Sequence, residues 1–284
     1  MSFQKINLGR FTIYGLRDGF FALDGGSMFG VVPKPIWEKH FAADELNRIH
    51  FGLNSILIET PAYRILVETG IGTMIPEKFL KFYAVDRKQG LVQSLKDLGI
   101  KPDDIHYVIN THLHFDHCGG NTLRKAAGEI APAFPMARYV IQKEEWRYGL
   151  EPKYRDRVSY FQDTFAPLSD HDRLQLAEGD EEVVPGVSVT RTPGHTAHHQ
   201  GVKVESGGQT LFFFGDAVPT SAHVGLSYIA SYDLYPVRTL ETKKRILNQA
   251  EEEDWICAFV HDPKHFFGKV AKDKNKFVFL PVSS

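Results

Sequence analysis

The sequence predicts an α/β fold made of two similar halves packed as layers. Three observations carry this. Short β-type apolar runs bounded by Gly, Pro and Asp recur along the chain. Two segments, 87–98 and 239–252, instead space their apolar residues for one helical face. The order of strands then helix occurs twice, which is the pattern of layered α/β folds. No linker or low-complexity stretch divides the 284 residues, so the chain reads as a single domain, 1–284.

The elements follow in order. Residues 11–14 and 19–23 read as two short strands, with Asp24-Gly25-Gly26 as a turn. Ser55–Glu59 and Tyr63–Glu68 flank Thr60-Pro61-Ala62 as a hairpin, and Thr69-Gly70-Ile71-Gly72 breaks the second strand. Leu91, Leu95 and Leu98 share a face of a helix over 87–98, stopped by Gly99. A buried strand, 105–109, runs straight into a histidine-rich loop. A helix is expected from Gly119 to just before Pro132, then a strand at 138–141 and a short helix at 143–148. Residues 151–173 have no clear period and read as a lid or inserted helical segment. In the second half, 187–191, 201–205 and 210–214 read as strands, with a turn at 206–209. A helix over 239–252 precedes a last buried strand, 256–260.

Composition excludes several classes. With 33 basic and 35 acidic residues and no basic run, nucleic acid is a poor partner. Apolar runs such as 211–214 are far too short to span a membrane, and residues 1–10 lack the pattern of a secretory signal. Two cysteines, Cys118 and Cys257, are too few for a disulfide framework and suit a reducing compartment, so a cytoplasmic protein is expected. Cys118 reads as a packing residue rather than a ligand. The aromatic-rich N-terminal segment offers a surface for a homodimer.

Thirteen histidines are present, concentrated at 106–117 and 195–199. Thr111-His112-Leu113-His114-Phe115-Asp116-His117 places three imidazoles and a carboxylate within six residues, directly after a buried strand. Each would suffer desolvation if buried alone, and a divalent cation satisfies several together. Matching contexts recur downstream at His195, in a turn after strand 187–191, and at Asp216 and His261, after apolar strands. Four strand ends therefore deliver metal-type ligands to one rim.

This ordered set, His112-x-His114-x-Asp116-His117 followed by His195, Asp216 and His261, resembles the metallo-β-lactamase superfamily over nearly the whole chain. The resemblance implies an αββα sandwich with a binuclear site. His112, His114 and His195 would bind one ion; Asp116, His117 and His261 the other; Asp216 would bridge them. Zn2+ is the expected metal, although such ligands also accept Mn, Fe or Co. A water between the two ions would be deprotonated near neutral pH and attack a carbonyl or phosphoryl centre. Asp116 is then expected to pass a proton to the leaving group.

Two positions depart from the family pattern. Glu68 stands where aspartate usually orients ligands. Pro219 stands where shorter N-acyl-homoserine lactonases place a tyrosine, so His223 or Tyr228 is expected to contact the substrate. Large inserted domains, a flavodoxin-like extension and a long helical C-terminal region are missing, which leaves the lactonase branch. The stretches Asp24–Gly30, Ser231–Pro236 and His261-Asp262-Pro263 look like the longer members of that branch. The expectation is a lactonase opening N-acyl-homoserine or related lactones, a small-molecule substrate with an apolar portion. Met28, Phe29, Val31, Trp37 and aromatics within 146–165 are candidates for its pocket. The alternatives are a phosphotriesterase or arylesterase similar to methyl parathion hydrolase and, in another class, a mononuclear iron oxidoreductase. His199 is expected to be a buried hydrogen-bonding residue.

Overall fold

A computed structural model describes residues 3–282 apart from 89 and 154. The chain begins with β1 (Gln4–Leu8), β2 (Phe11–Asp24), the short helices α1 (Gly25–Phe29) and α2 (Lys34–Trp37), β3 (Arg48–Glu59) and β4 (Arg64–Val67). Then come α3 (Glu77–Phe82), α4 (Leu91–Asp97), β5 (Tyr107–Ile109), α5 (Phe115–Cys118), β6 (Thr122–Arg124) and β7 (Ile130–Pro132). β8 (Arg138–Gln142), α6 (Lys143–Leu150) and β9 (Leu174–Ala177) complete the first half. The second half holds β10 (Glu181–Val184), β11 (Val187–Arg191), β12 (Gln200–Ser206), β13 (Gln209–Phe213), α7 (Pro236–Glu252), β14 (Ile256–Ala258), β15 (Phe267–Asp273) and β16 (Lys276–Pro281).

Among the described residues the strands form two seven-stranded sheets, ordered β1-β2-β3-β4-β5-β8-β9 and β10-β11-β12-β13-β14-β15-β16, and a β6-β7 ribbon. Alternation along the strands assigns their faces. Ile65 and Val67 enter the core shared with Val202, Val204, Leu211 and Phe213 of the other sheet. Leu66 points the other way, into a cluster with Leu91 and Leu95 of α4 and Trp146 of α6. Phe212 and Phe214 pack outward with Ile246, Leu247 and Ala250 of α7. Each buried Phe or Leu contributes about 1.5–3 kcal/mol, so the period-2 pattern sets both sheet faces at once. The result is the expected αββα sandwich.

Several elements differ from expectation. The two strands at 11–14 and 19–23 are one 14-residue strand, kinked by a register shift between Arg17 and Gly19. β3 starts seven residues earlier than Ser55, because β2 supplies a partner along its whole length. The turn at Asp24 opens α1, which Asp24 caps by accepting a hydrogen bond from Ser27 N at 2.7 Å. α4 begins only at Leu91; residue 89 of the expected helix lies outside the described residues. The helix expected from Gly119 is instead α5, starting inside the motif, followed by the β6-β7 ribbon. The physical reason is tertiary: residues 122–124 pair their backbone with 130–132, and a Cβ on Gly119 would sit 2.3 Å from Ile71 O, so only glycine fits where the chain crosses that segment. Residues 157–168 form three single 3-10 turns rather than a longer helix.

Candidate metal centre

The site lies beyond the C-terminal ends of parallel neighbours, where α/β sheets place chemistry. β4 and β5 run parallel, as do β13 and β14. The chain beyond β4 carries Glu68, and beyond β5 it carries His112 to His117. The loops after β11, β13 and β14 carry His195, Asp216 and His261. Gly215 makes its turn at φ +54°, and a Cβ there would sit 2.7 Å from His199 Nε2. Only glycine fits that position.

All seven residues meet. His195 Nε2 is 3.1 Å from His114 Nδ1 and 3.3 Å from Asp216 Oδ2. His117 Nε2 is 3.5 Å from Asp216 Oδ2 and 3.6 Å from Asp116 Oδ2. His261 Nε2 is 3.1 Å from Asp216 Oδ1 and 3.5 Å from Asp116 Oδ2. Donor atoms lie within 4.8 Å of one another in three groups: His112, His114 and His195; Asp116, His117 and His261; and His112, His117 and Asp216. Asp216 thus touches histidines of both three-ligand sets.

The outward nitrogens of several rings are held. His195 Nδ1 bonds Asp233 Oδ1 at 2.9 Å, and His261 Nδ1 bonds Gly52 O at 2.9 Å. A carbonyl only accepts, so His261 carries its proton on Nδ1 and turns the Nε2 lone pair inward. His112 Nδ1 meets Thr111 Oγ1 at 2.9 Å. Five of the nine buried side-chain polar atoms without a partner among the described residues belong to this cluster: His112 Nε2, His114 Nε2, both ring nitrogens of His117 and Asp216 Oδ1. Buried polar atoms rarely go unpaired, so their concentration at one point fits a cation-binding site.

The electrostatics agree. Burial, with neighbouring imidazoles, drives the pKa of His112 and His114 well below the usual histidine value. Burial also disfavours charge on His117, but Asp216, Asp116 and Glu68 outweigh it and raise its pKa. Burial would raise Asp216, yet His117, His261 and His195 hold it well below the carboxylate range. A divalent ion supplies the same positive charge in place of protons.

Glu68, in the left-handed region at φ +65°, accepts from Thr111 N at 3.0 Å and brings Oε1 to 3.4 Å from His117 Nδ1. The extra methylene thus still reaches the motif loop. His199 is the expected buried hydrogen-bonding residue: Nδ1 bonds Thr192 Oγ1 at 2.7 Å and Nε2 accepts from Asp216 N at 3.1 Å. Burial lowers its pKa to about 3, keeping it neutral.

A cavity of about 270 Å³ opens on the centre. Phe21, Leu23, Met28, Tyr83, Phe115, Pro219, Ala230 and Leu234 form its apolar wall, and Arg155, Asp156, Ser159, Ser231 and Tyr232 its polar one. Tyr83 Oη is pushed up to about 12 by burial and by Asp116.

Some expected substrate contacts are elsewhere. His223 is fully buried, with Nε2 bonded to Met28 O at 2.9 Å, Nδ1 to Thr220 Oγ1 at 2.7 Å, and its ring stacked on Phe29. One nitrogen holds the 28–30 turn and the other Thr220, and the residue does not line the cavity. Tyr228 lies with His40 in a separate groove. Phe29 and Trp37 stack on each other in the core, and Val31 is 88% exposed; of those four candidates only Met28 lines the cavity. The 146–165 segment contributes Arg155, Asp156 and Ser159 rather than its described aromatics, and Tyr154 lies outside the described residues.

Sequence reasoning missed two residues that hold the ligand loops. Asp233 orients His195. Glu145, buried on α6, accepts from Leu113 N at 3.2 Å, Tyr160 Oη at 2.9 Å and Thr196 Oγ1 at 2.8 Å. It therefore ties the His112–His117 loop to the His195 loop. Glu145→Ala is expected to weaken metal binding by about 10–100-fold, as loss of an outer support typically does. Calorimetric zinc titration checks this, and wild-type affinity would show that the loops hold without Glu145.

Fold and site together define a metal-dependent hydrolase. The model of the metallo-beta-lactamase superfamily matches residues 50–261, and the chain belongs to that superfamily. It is 32% identical over 221 residues to an N-acyl homoserine lactonase of Bacillus thuringiensis, covering 72% of this chain and 79% of that one. A probable metal-dependent hydrolase from Staphylococcus aureus superposes with a TM-score of 0.90 at 33% identity, covering 98% and 99% of the two chains. AidC, a dizinc quorum-quenching lactonase, shares the fold with a TM-score of 0.83 at 21% identity, covering 100% and 98%. No helix among the described residues is long and apolar enough to cross a membrane.

Proposed function

We propose that the chain is a binuclear metal-dependent lactonase that opens N-acyl-homoserine or related lactones. The observation that carries this reading is two three-ligand groups joined through Asp216 at the floor of a small, mostly apolar cavity. The named lactonase relative supports the substrate class.

His112, His114 and His195 would hold one ion, Asp116, His117 and His261 the other, with Asp216 between. Zn2+ is the preferred metal, and bound ions would supply Lewis acidity and an acidified water. The chain's own residues do the rest. Asp233 and Gly52 O fix ring orientation. Asp116 turns Oδ2 toward His117 and His261, which leaves its second oxygen to hold a proton for the leaving alkoxide. Phe21, Met28, Phe115 and Leu234 exclude water and receive the apolar part of the substrate.

A kcat/KM panel of acyl-homoserine lactones, simple lactones, aryl esters and paraoxon on zinc-loaded protein tests the reading. The acyl-homoserine lactones are expected to rank first. Highest efficiency on paraoxon would overturn the substrate class in favour of a phosphotriesterase. One equivalent of iron per chain, rather than two of zinc, would overturn the binuclear site in favour of an iron oxidoreductase.

A further inference from the structure

One hydroxyl on the apolar wall of the cavity has no part in the reaction proposed above. Tyr83 lines the cavity and is half-buried. Its backbone is pinned on both sides: N donates to Phe79 O at 2.9 Å, and O accepts from Ala22 N of β2 at 2.6 Å. Its ring packs on Phe115 with centroids 5.3 Å apart and meets Phe82 edge-on at 5.0 Å. Phe115 lies between His114 and Asp116 in the chain and also lines the cavity, so the phenol is held against the ligand loop. The side chains that act electrostatically on its oxygen are Asp116 and Tyr232, which both line the cavity and place the hydroxyl end on that side. Among the described residues no hydrogen bond takes this hydroxyl, whereas those of Tyr148 and Tyr160 bond Asp156 and Glu145. Burial and Asp116 push its pKa up to about 12, so at neutral pH it is a donor.

A half-buried donor without a protein partner favours a ligand that brings an acceptor. An N-acylated lactone carries a ring carbonyl oxygen, a ring ether oxygen and an amide carbonyl oxygen. The ring carbonyl belongs to the carbon under attack, and the ether oxygen becomes the leaving group served by Asp116. The amide oxygen stands at the root of the apolar chain, which the wall of Met28, Tyr83 and Phe115 receives. Tyr232, the other tyrosine of the cavity, is 42% exposed and so sits toward its mouth.

We propose that Tyr83 Oη donates a hydrogen bond to the amide carbonyl oxygen of an N-acylated lactone, making Tyr83 a residue that favours substrates whose chain begins with a carbonyl. This rests on the lactonase reading above and narrows it.

Tyr83→Phe keeps the ring on Phe115 and removes only the hydroxyl. Zinc-loaded wild type and variant are compared on N-hexanoyl-homoserine lactone and on α-hexyl-γ-butyrolactone, which has a chain on the same ring carbon but no amide. On the amide substrate kcat/KM is expected to fall by about 3- to 10-fold, the worth of one neutral hydrogen bond. The loss should appear in KM rather than kcat, because the bond is made equally before and during ring opening. On the alkyl lactone the variant is expected to keep the wild-type value. Calorimetric binding of the ring-opened product, N-hexanoyl-homoserine, should weaken by a factor similar to that in KM. No loss on the amide substrate, or equal losses on both lactones, overturns the role of Tyr83 while leaving the lactonase reading intact. Failure of wild type to open either lactone overturns both.

Discussion

Asp216→Asn is expected to reduce bound zinc from two equivalents per chain to one or fewer and to abolish most lactone turnover. The reason is its position. Both carboxylate oxygens face imidazoles, at 3.1 Å from His261, 3.3 Å from His195 and 3.5 Å from His117. Asparagine keeps the volume and one acceptor but removes the negative charge shared by the two ligand groups. Outer supports such as Asp233 typically account for 10–100-fold in affinity, so loss of the carboxylate proposed to bridge two ions is expected to exceed about 100-fold. Elemental analysis after desalting, together with zinc titration, reads the effect. An Asp216→Asn protein that retains two tightly held ions would remove Asp216 from the site.

For Asp116→Asn the expected loss in kcat is about 10²- to 10⁴-fold on lactones, the usual worth of a positioned general acid. Asp116 reaches His117 and His261 through Oδ2 and also lines the cavity. One oxygen can serve the centre while the other handles a proton. The dual role proposed for it separates by leaving group. A lactone alkoxide needs protonation as it departs, whereas an aryl ester carrying a nitrophenolate leaving group does not. The loss should therefore be much smaller on the nitrophenyl ester, measured on protein shown to hold the same metal content as wild type. Equal losses on both substrates would mean that Asp116 acts on metal binding alone.

The two variants also show which parts of the site were legible in the sequence. His112, His114, Asp116 and His117 lie within six residues, and His195, Asp216 and His261 each follow an apolar strand. Both are local patterns, and the structure brings all seven residues together. Residues that act on the ligands from a distance carried no such signal. Asp233 is 38 residues from His195, and Glu145 is 32 from Leu113 and 51 from Thr196. Tyr83 ends a short exposed helix whose spacing resembles any surface segment. His223 misled because its proximity to Asp216 in sequence does not determine direction. Its ring turns inward to bond Met28 O, 195 residues away.

The sequence by itself determined the layered α/β class and the seven candidate ligands. Each follows from short apolar runs, helical spacing or ligands a few residues apart, which the backbone translates directly into geometry. The tertiary structure decided the length of β2 and β3, the short helix in place of the one after Gly119, the cavity wall and the orientation of every ligand ring. Those depend on groups far apart in the chain meeting at a common distance. Asp156 illustrates the difference: in sequence it is one acidic residue in a charged segment, and only packing against Tyr148 buries its carboxylate beside the cavity.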